Sequence, residues 1–232
     1  MAEADDELRD RRPHLRTALR PDDLAGHVRL SCPDHPVLPD LFITLDTYLR
    51  RKPMTATLVP TDLTLTDPEG RLVRLGDLLA GNRFTVIQLV RYFGCLPCQE
   101  WCVELDAQGA GLAEAGIGVA SVGGSADYQA QWLRDEKGVS MPLLLDPEHE
   151  FREAVGAAAP LGVRMLNPRG AVAYVGSLRR GYRPQSITRD TVRSPGVVIL
   201  DEAGSIRWQH IGKRIGDYPP VEQVIAAAAA LR

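Results

Sequence analysis

The chain has 232 residues, 44% of them hydrophobic and 25% charged, enough for one good core with an appendage or for two small domains. A formal net charge of -3 gives no case for nucleic acid, and no stretch is long and apolar enough to span a bilayer. The start, MAEADDELRDRR, is charged from its third residue and lacks the apolar core of a signal peptide, so a cytoplasmic location is expected. Residues 1 to about 20 mix acidic and basic side chains with few apolar ones, which predicts a mobile or partner-dependent segment. The prolines between Pro21 and Pro39 argue for irregular backbone. Asp40 to Arg51 then reads as an amphipathic helix with Leu41, Phe42, Leu45, Tyr48 and Leu49 inward, packed on its own domain in preference to serving as an oligomer arm or a lid. Residues 1–55 are therefore expected to be an extension, and 56–232 the folded domain.

In that domain Leu63-Thr64-Leu65 and Arg71-Leu72-Val73 flank the turn cluster Asp67-Pro68-Glu69-Gly70 and predict a hairpin. Leu75 to Ala80 is a short helix or turn. Val86, Ile87, Leu89 and Val90 form an apolar block of the kind buried in a parallel sheet, and helical spacing follows through Trp101, Cys102, Leu105 and Leu112. Gly116 to Val122 is a further strand, and Ser125 to Lys137 a helix with Tyr128, Trp132 and Leu133 on one face. Met141 to Leu145 reads as a strand and Pro147 to Val155 as a short helix closed by Gly156. Strand, helix, strand, helix favours parallel pairing with helices on both faces. From Ala157 to Thr191 no period is clear, and a segment this long is functional or partly helical. Its arginines, Arg179, Arg180, Arg183 and Arg189, read as a solvated face, with an anion-gathering pocket as the alternative. Val197 to Leu200, the turn Asp201 to Gly204 and Ile206 to His210 form a second hairpin, and Val221 to Leu231 the last helix.

Three of the four cysteines lie in one stretch, Cys95-Leu96-Pro97-Cys98 and Cys102, where the apolar block meets the helix. The first turn of a helix offers unpaired N–H groups and the positive end of the macrodipole, both of which favour thiolate over thiol. Pro97 suits that turn because a residue at the start of a helix has no intrahelical use for an N–H. Arg91 is a candidate neighbouring cation. The competing reading is a zinc site drawn from C-x2-C-x3-C with Cys32 and His35, but closed zinc sites usually take two spaced ligand pairs from hairpins or loops. Cys102 is expected to be a small apolar core residue, with a third redox sulfur as the alternative. None of the histidines is assigned to catalysis.

The element order, the CLPC turn and the stretch PTDLTLTDPEGRLVRLGDLL leading into the central strand resemble the alkyl hydroperoxide reductase and thiol-specific antioxidant group of thioredoxin-fold proteins. Within it, Ser194-Pro195-Gly196-Val197-Val198-Ile199-Leu200-Asp201 and Gly216-Asp217-Tyr218-Pro219 resemble the peroxiredoxin-like branch that includes prostamide/prostaglandin F synthase. The resemblance covers roughly residues 56 to 231. It implies an α/β thioredoxin-like fold with a peroxiredoxin-type N-terminal hairpin and a mixed central sheet with helices on both faces. It also implies that Cys95 and Cys98 are the catalytic dithiol, supported by Arg91, Pro97 and Pro195, the last standing where such proteins carry a proline, often cis, beside the dithiol. A plain strand-opening proline is the other reading of Pro195.

The activity implied is reduction of a peroxide, an endoperoxide or a disulfide, with no bound cofactor and with electrons from a thioredoxin-type or small-thiol donor. A homo-oligomer is a further expectation, with no nucleic acid or membrane partner. Ordinary members carry Pro-x-x-x-Thr-x-x-Cys, and counting back from Cys98 places Cys95 at the threonine and Arg91 at the proline, which implies slow turnover of hydrogen peroxide. Cys95, the N-terminal thiol, is expected to attack first, although the peroxiredoxin alignment names Cys98. The alternatives are a biosynthetic thiol enzyme with the arginine-containing insertion as its pocket, and a redox-sensing binding protein.

Overall fold

The computed structural model describes residues 57–124, 126–188 and 192–231, all within one compact unit, Lys52–Arg232. The expected helix at Asp40 to Arg51, Cys32, His35 and Arg189 lie outside the described residues. The strands are β1 (Thr64–Thr66), β2 (Leu72–Arg74), β3 (Phe84–Leu89), β4 (Ile117–Gly123), β5 (Leu143–Leu145), β6 (Gly196–Asp201) and β7 (Ile206–Ile211). The helices are α1 (Leu75–Leu79), α2 (Leu96–Asp106), α3 (Gly109–Glu114), α4 (Asp127–Lys137), α5 (Glu150–Ala154), α6 (Pro168–Arg179) and α7 (Val221–Ala230), with a 3-10 turn at Gly162–Leu166. They build a seven-stranded mixed sheet in the order β2-β1-β5-β4-β3-β6-β7. The pairs β3–β4 and β4–β5 are parallel; β3–β6, β6–β7, β1–β2 and β1–β5 are antiparallel.

Period-two alternation along the central strands feeds two cores, as a sheet covered on both faces requires. Val86, Val197 and Ile199 join Trp101, Cys102, Leu105, Leu133 and Val224 from α2, α4 and α7 on one face. On the other, Ile87, Leu89, Val198 and Leu200 meet Leu75, Leu79, Phe151 and Val155. Every residue of β3 is buried.

Both expected hairpins form, with Thr64 facing Arg74 and Val198 facing Gln209. Three expectations change. The helix after the cysteines stops at Asp106, and Leu112 belongs to the separate α3. Tyr128 is half exposed, because the inward positions of α4 belong to Gln129, Ala130 and Leu133. The segment without a clear period contains α6, capped by Asn167, whose side chain accepts from the Arg169 N–H at 2.9 Å, with Pro168 at its first position.

Candidate active site

Beyond β3 the chain turns through Arg91 to Gly94 and Cys95 caps α2 in an extended conformation (φ -78, ψ 124). Leu96 and Pro97 occupy the first two helical positions and Cys98 the third. The Cys95 carbonyl accepts the N–H groups of Cys98 at 3.0 Å and Gln99 at 2.9 Å. Both sulfurs are reduced and wholly buried, at 0% exposure. A reagent from solvent can meet them only after something over them moves.

The pair does not share its proton evenly. Burial pushes the Cys98 thiol up, but the hydrogen bond from Cys95, the Arg91 charge and the Tyr218 hydroxyl outweigh it and bring Cys98 down to about 6. Cys95 is raised, first because its proton is held against the Cys98 sulfur and then by burial. Arg91 is buried, with Nη1 3.5 Å from Cys95 Sγ, so the expected cation does face the dithiol. In this arrangement Cys98 is the lowered thiol of the pair and Cys95 the raised one. Cys102, one helical turn on, follows its apolar surroundings. Burial pushes it up to about 12 despite a 3.6 Å contact from Ser121 Oγ, which is the inert core role expected of it.

Residues far along the chain complete the site. Tyr218 places its hydroxyl 3.2 Å from Cys98 Sγ and 3.0 Å from the Leu89 carbonyl oxygen. Its loop is braced by Asp217, whose carboxylate accepts from the Lys213 N–H at 2.7 Å and pairs with Arg214 at 2.9 Å, while His210 contacts the Asp217 carbonyl at 3.1 Å. Gly216, at φ +66, brings that loop against Pro97: a Cβ there would meet the Pro97 Cβ at 3.0 Å. Trp101 stacks on the Tyr218 ring at 5.2 Å and donates to the Pro219 carbonyl at 2.8 Å. Gln88, a lone amide in the apolar β3 block, donates to the Cys98 carbonyl at 3.1 Å and accepts from Ser121 Oγ. Arg152 of α5, also buried, donates to the Val90 carbonyl and, at 2.9 Å, to the Ser194 carbonyl, tying together the chain at the ends of β3 and β6. Sequence reading gave Gln88, Arg152 and Tyr218 no part in the site; the signals available were a polar residue inside an apolar strand for Gln88 and the Gly216-Asp217-Tyr218-Pro219 stretch for Tyr218.

The insertion contributes backbone, not a cluster of guanidinium groups. Residues 182–188 bond to the two residues that flank the dithiol. Gln185 N–H donates to the Gly94 carbonyl at 3.3 Å, and Gln99 Nε2 donates to the Arg183 carbonyl at 3.3 Å. Gln129 of α4 joins both layers, accepting from Gly94 N–H at 3.1 Å and donating to the Ser186 carbonyl at 2.7 Å. Arg180 pairs with Glu100 of α2, which also accepts from Ser177 Oγ at 2.6 Å, while Arg179 and Arg183 are exposed. These three arginines therefore lie at the surface, Arg180 with a carboxylate partner, as a solvated face would have them. Pro195 precedes β6 with a trans peptide bond, none among the described residues being cis, and its carbonyl accepts from Gly212 N–H at 2.8 Å, as a strand-opening proline does. Beside Pro97 lies a groove of about 490 Å³ walled by Trp101, Glu100, Ala173, Arg180 and Tyr218.

Residues 58–209 match the family model of the AhpC/TSA family. Among curated proteins, the chain is 25% identical over 173 residues to the thioredoxin-like protein AAED1, chloroplastic, of Arabidopsis thaliana, a match covering 71% of this chain and 69% of that one. Among solved structures, the Xanthomonas campestris bacterioferritin comigratory protein superposes with a TM-score of 0.55 at 16% identity, over 75% of this chain and 98% of that one. Peroxidoxin BcpB of Mycobacterium tuberculosis gives 0.54 at 15%, over 77% and 99%. The structural likenesses establish the thioredoxin/peroxiredoxin-like fold.

Proposed function

Since the chain belongs to the AhpC/TSA family, we propose that it is a thiol oxidoreductase that reduces a peroxide, an endoperoxide or a disulfide through Cys98 and Cys95. The observation that carries this reading is the buried thiol pair at the start of one helix, with Arg91 Nη1 3.5 Å from Cys95 Sγ and the Tyr218 hydroxyl 3.2 Å from Cys98 Sγ, contacts that lower Cys98 relative to Cys95. With a hydroperoxide, the Cys98 thiolate attacks the distal oxygen. An S–O bond forms, the O–O bond breaks, and the alcohol leaves after taking a proton, so Cys98 becomes a sulfenic acid. Cys95 then attacks the Cys98 sulfur, water leaves, and the intramolecular disulfide is returned to two thiols by an external dithiol of thioredoxin type. With a disulfide substrate, the same thiolate forms a mixed disulfide that Cys95 resolves. The proposed setting is the cytoplasm, where such donors keep the pair reduced.

Substrate preference is read from the walls. Alkyl peroxide reduction is named for the Xanthomonas relative, and the groove bordering Pro97, which holds neither sulfur, is where the remainder of a bulkier substrate would rest once the dithiol is uncovered. Purified reduced protein, coupled to a thioredoxin system and offered hydrogen peroxide, an organic hydroperoxide, an endoperoxide and a disulfide, tests the reading. We expect repeated turnover, slow for hydrogen peroxide and faster for a larger substrate. Cys98→Ser abolishes it, and Cys95→Ser is oxidised once and accumulates a trappable sulfenic acid or mixed adduct on Cys98. Oxidation that stops after one equivalent with every substrate would favour a redox-sensing binding protein, and an adduct confined to Cys95 would reverse the roles.

A further inference from the structure

We propose that the Tyr218 hydroxyl holds Cys98 as a thiolate by moving its one hydrogen from the Leu89 carbonyl to Cys98 Sγ when the thiol loses its proton. The inference rests on the reading above that Cys98 is the ionised, attacking sulfur. A phenol carries a single O–H donor, and two acceptors stand within its reach, Leu89 O at 3.0 Å and Cys98 Sγ at 3.2 Å. It can satisfy one at a time. With Cys98 protonated, the hydroxyl donates to Leu89 and the thiol donates to the phenol oxygen. With Cys98 ionised, the thiol proton is gone and the hydroxyl turns to the charge, where a hydrogen bond is about twice as strong as one between neutral groups.

This donor is in place before the charge appears. The ring is clamped by its stack on Trp101, and its loop by the Asp217 carboxylate and the close approach of Gly216 to Pro97. Ionisation therefore requires an O–H rotation and no rearrangement of the backbone. Burial, and next the charge at Cys98, raise the Tyr218 phenol well above its ordinary range, so it stays a donor at every working pH. The other titratable groups facing Cys98 come from several elements. Cys95 caps α2 and the core thiol Cys102 lies on it, with Arg91 and Tyr92 before it, Arg152 on α5 and Tyr174 on α6. Arg91 and Arg152 favour the thiolate through their charge, and Tyr92 and Tyr174 are kept neutral chiefly by burial.

The test is a titration of the reduced full-length protein carrying 13Cβ-labelled cysteine, in which each sulfur reports its own ionisation without any reagent having to enter. In Tyr218→Phe, which keeps the ring, the Cys98 midpoint should rise by about one to two pH units, the worth of a hydrogen bond to a charged group. Cys102 should be unmoved. Trp101 emission and circular dichroism verify the fold. An unchanged Cys98 midpoint in a folded variant overturns the proposal. If Tyr218→Phe does not fold, 3-fluorotyrosine at position 218, a more acidic and stronger donor, should lower the midpoint, and no shift there overturns it equally. A wild-type Cys98 that titrates as an ordinary thiol removes both this proposal and the assignment of the attacking sulfur. A depressed wild-type value with no response to Tyr218 removes this proposal alone.

Discussion

The dithiol lies between two walls made by different chemistry. One is the sheet face of Val86, Val197 and Ile199 with Trp101 and Leu105, apolar and wholly or nearly wholly out of solvent. The other is the segment 182–188, attached next to the cysteines through amide contacts from Gln99, Gln129 and Gln185. Burial of apolar area is non-directional and collective, whereas each amide contact gives a net of only about 1 kcal/mol and can be exchanged for water. The sheet wall therefore fixes where the sulfurs sit. The amide wall is the one expected to open first, because local opening is drawn from regions with few apolar contacts.

The largest break in this comparison is a truncation in the sheet wall. Ile199→Ala should cost roughly 2–5 kcal/mol in urea unfolding, because the site cannot collapse onto the lost methyl groups. Alkylation of the dithiol should then accelerate only as far as global unfolding does. Gln129→Ala should do the opposite. It removes the contacts to Gly94 and Ser186 together, costs roughly 1–2 kcal/mol, and should speed alkylation of Cys98 several-fold under native conditions, measured by mass spectrometry against time. Equal alkylation rates in Gln129→Ala and wild type would mean that another part of the molecule admits the reagent.

The smallest effect sharpens the contrast by pH. Cys98 is depressed in the folded protein, so its contribution is fully present above the unfolded thiol value, about 8.5, and is lost as pH falls through about 6. Cys102 is raised, so its contribution is complete below the unfolded value and is lost as pH rises toward about 12. Between pH 7 and 8 the reduced protein should gain about 1 kcal/mol of stability per pH unit from Cys98. Cys98→Ser should flatten that slope in urea unfolding, and Cys102→Ala should leave it unchanged.

The hairpins, the strand–turn–helix around the cysteines and the final helix were legible because local period and turn chemistry agree with the fold. The Cys95/Cys98 pair and Arg91 were legible because they adjoin that turn. Other parts were not. In α6 the apolar stripe of Val172, Val175 and Leu178 faces solvent, so its periodicity does not mark a face packed on the core. In α4, Gln129 is wholly buried because it serves the polar contacts, which shifted the expected inward face onto Tyr128. Tyr218 lies 120 residues from Cys98, and only the folded sheet brings its hydroxyl to the sulfur. Which of the two thiols is lowered was hidden for a related reason. Position in the motif does not reveal which thiol receives the hydrogen bonds.

Cys95 caps the helix whose first turn carries Cys98, so both sulfurs are buried at one helical turn before any oxidant arrives. Damage under excess oxidant is a race between a second oxidant molecule, which takes a sulfenic acid on to the sulfinic acid, and the partner thiol that removes it. Here the partner needs no unwinding of helix or loop to win. On the proposed chemistry, a burst of peroxide should therefore fill the protein with disulfide and leave little of it irreversibly inactivated, which would make tolerance of high doses a property of one helical turn.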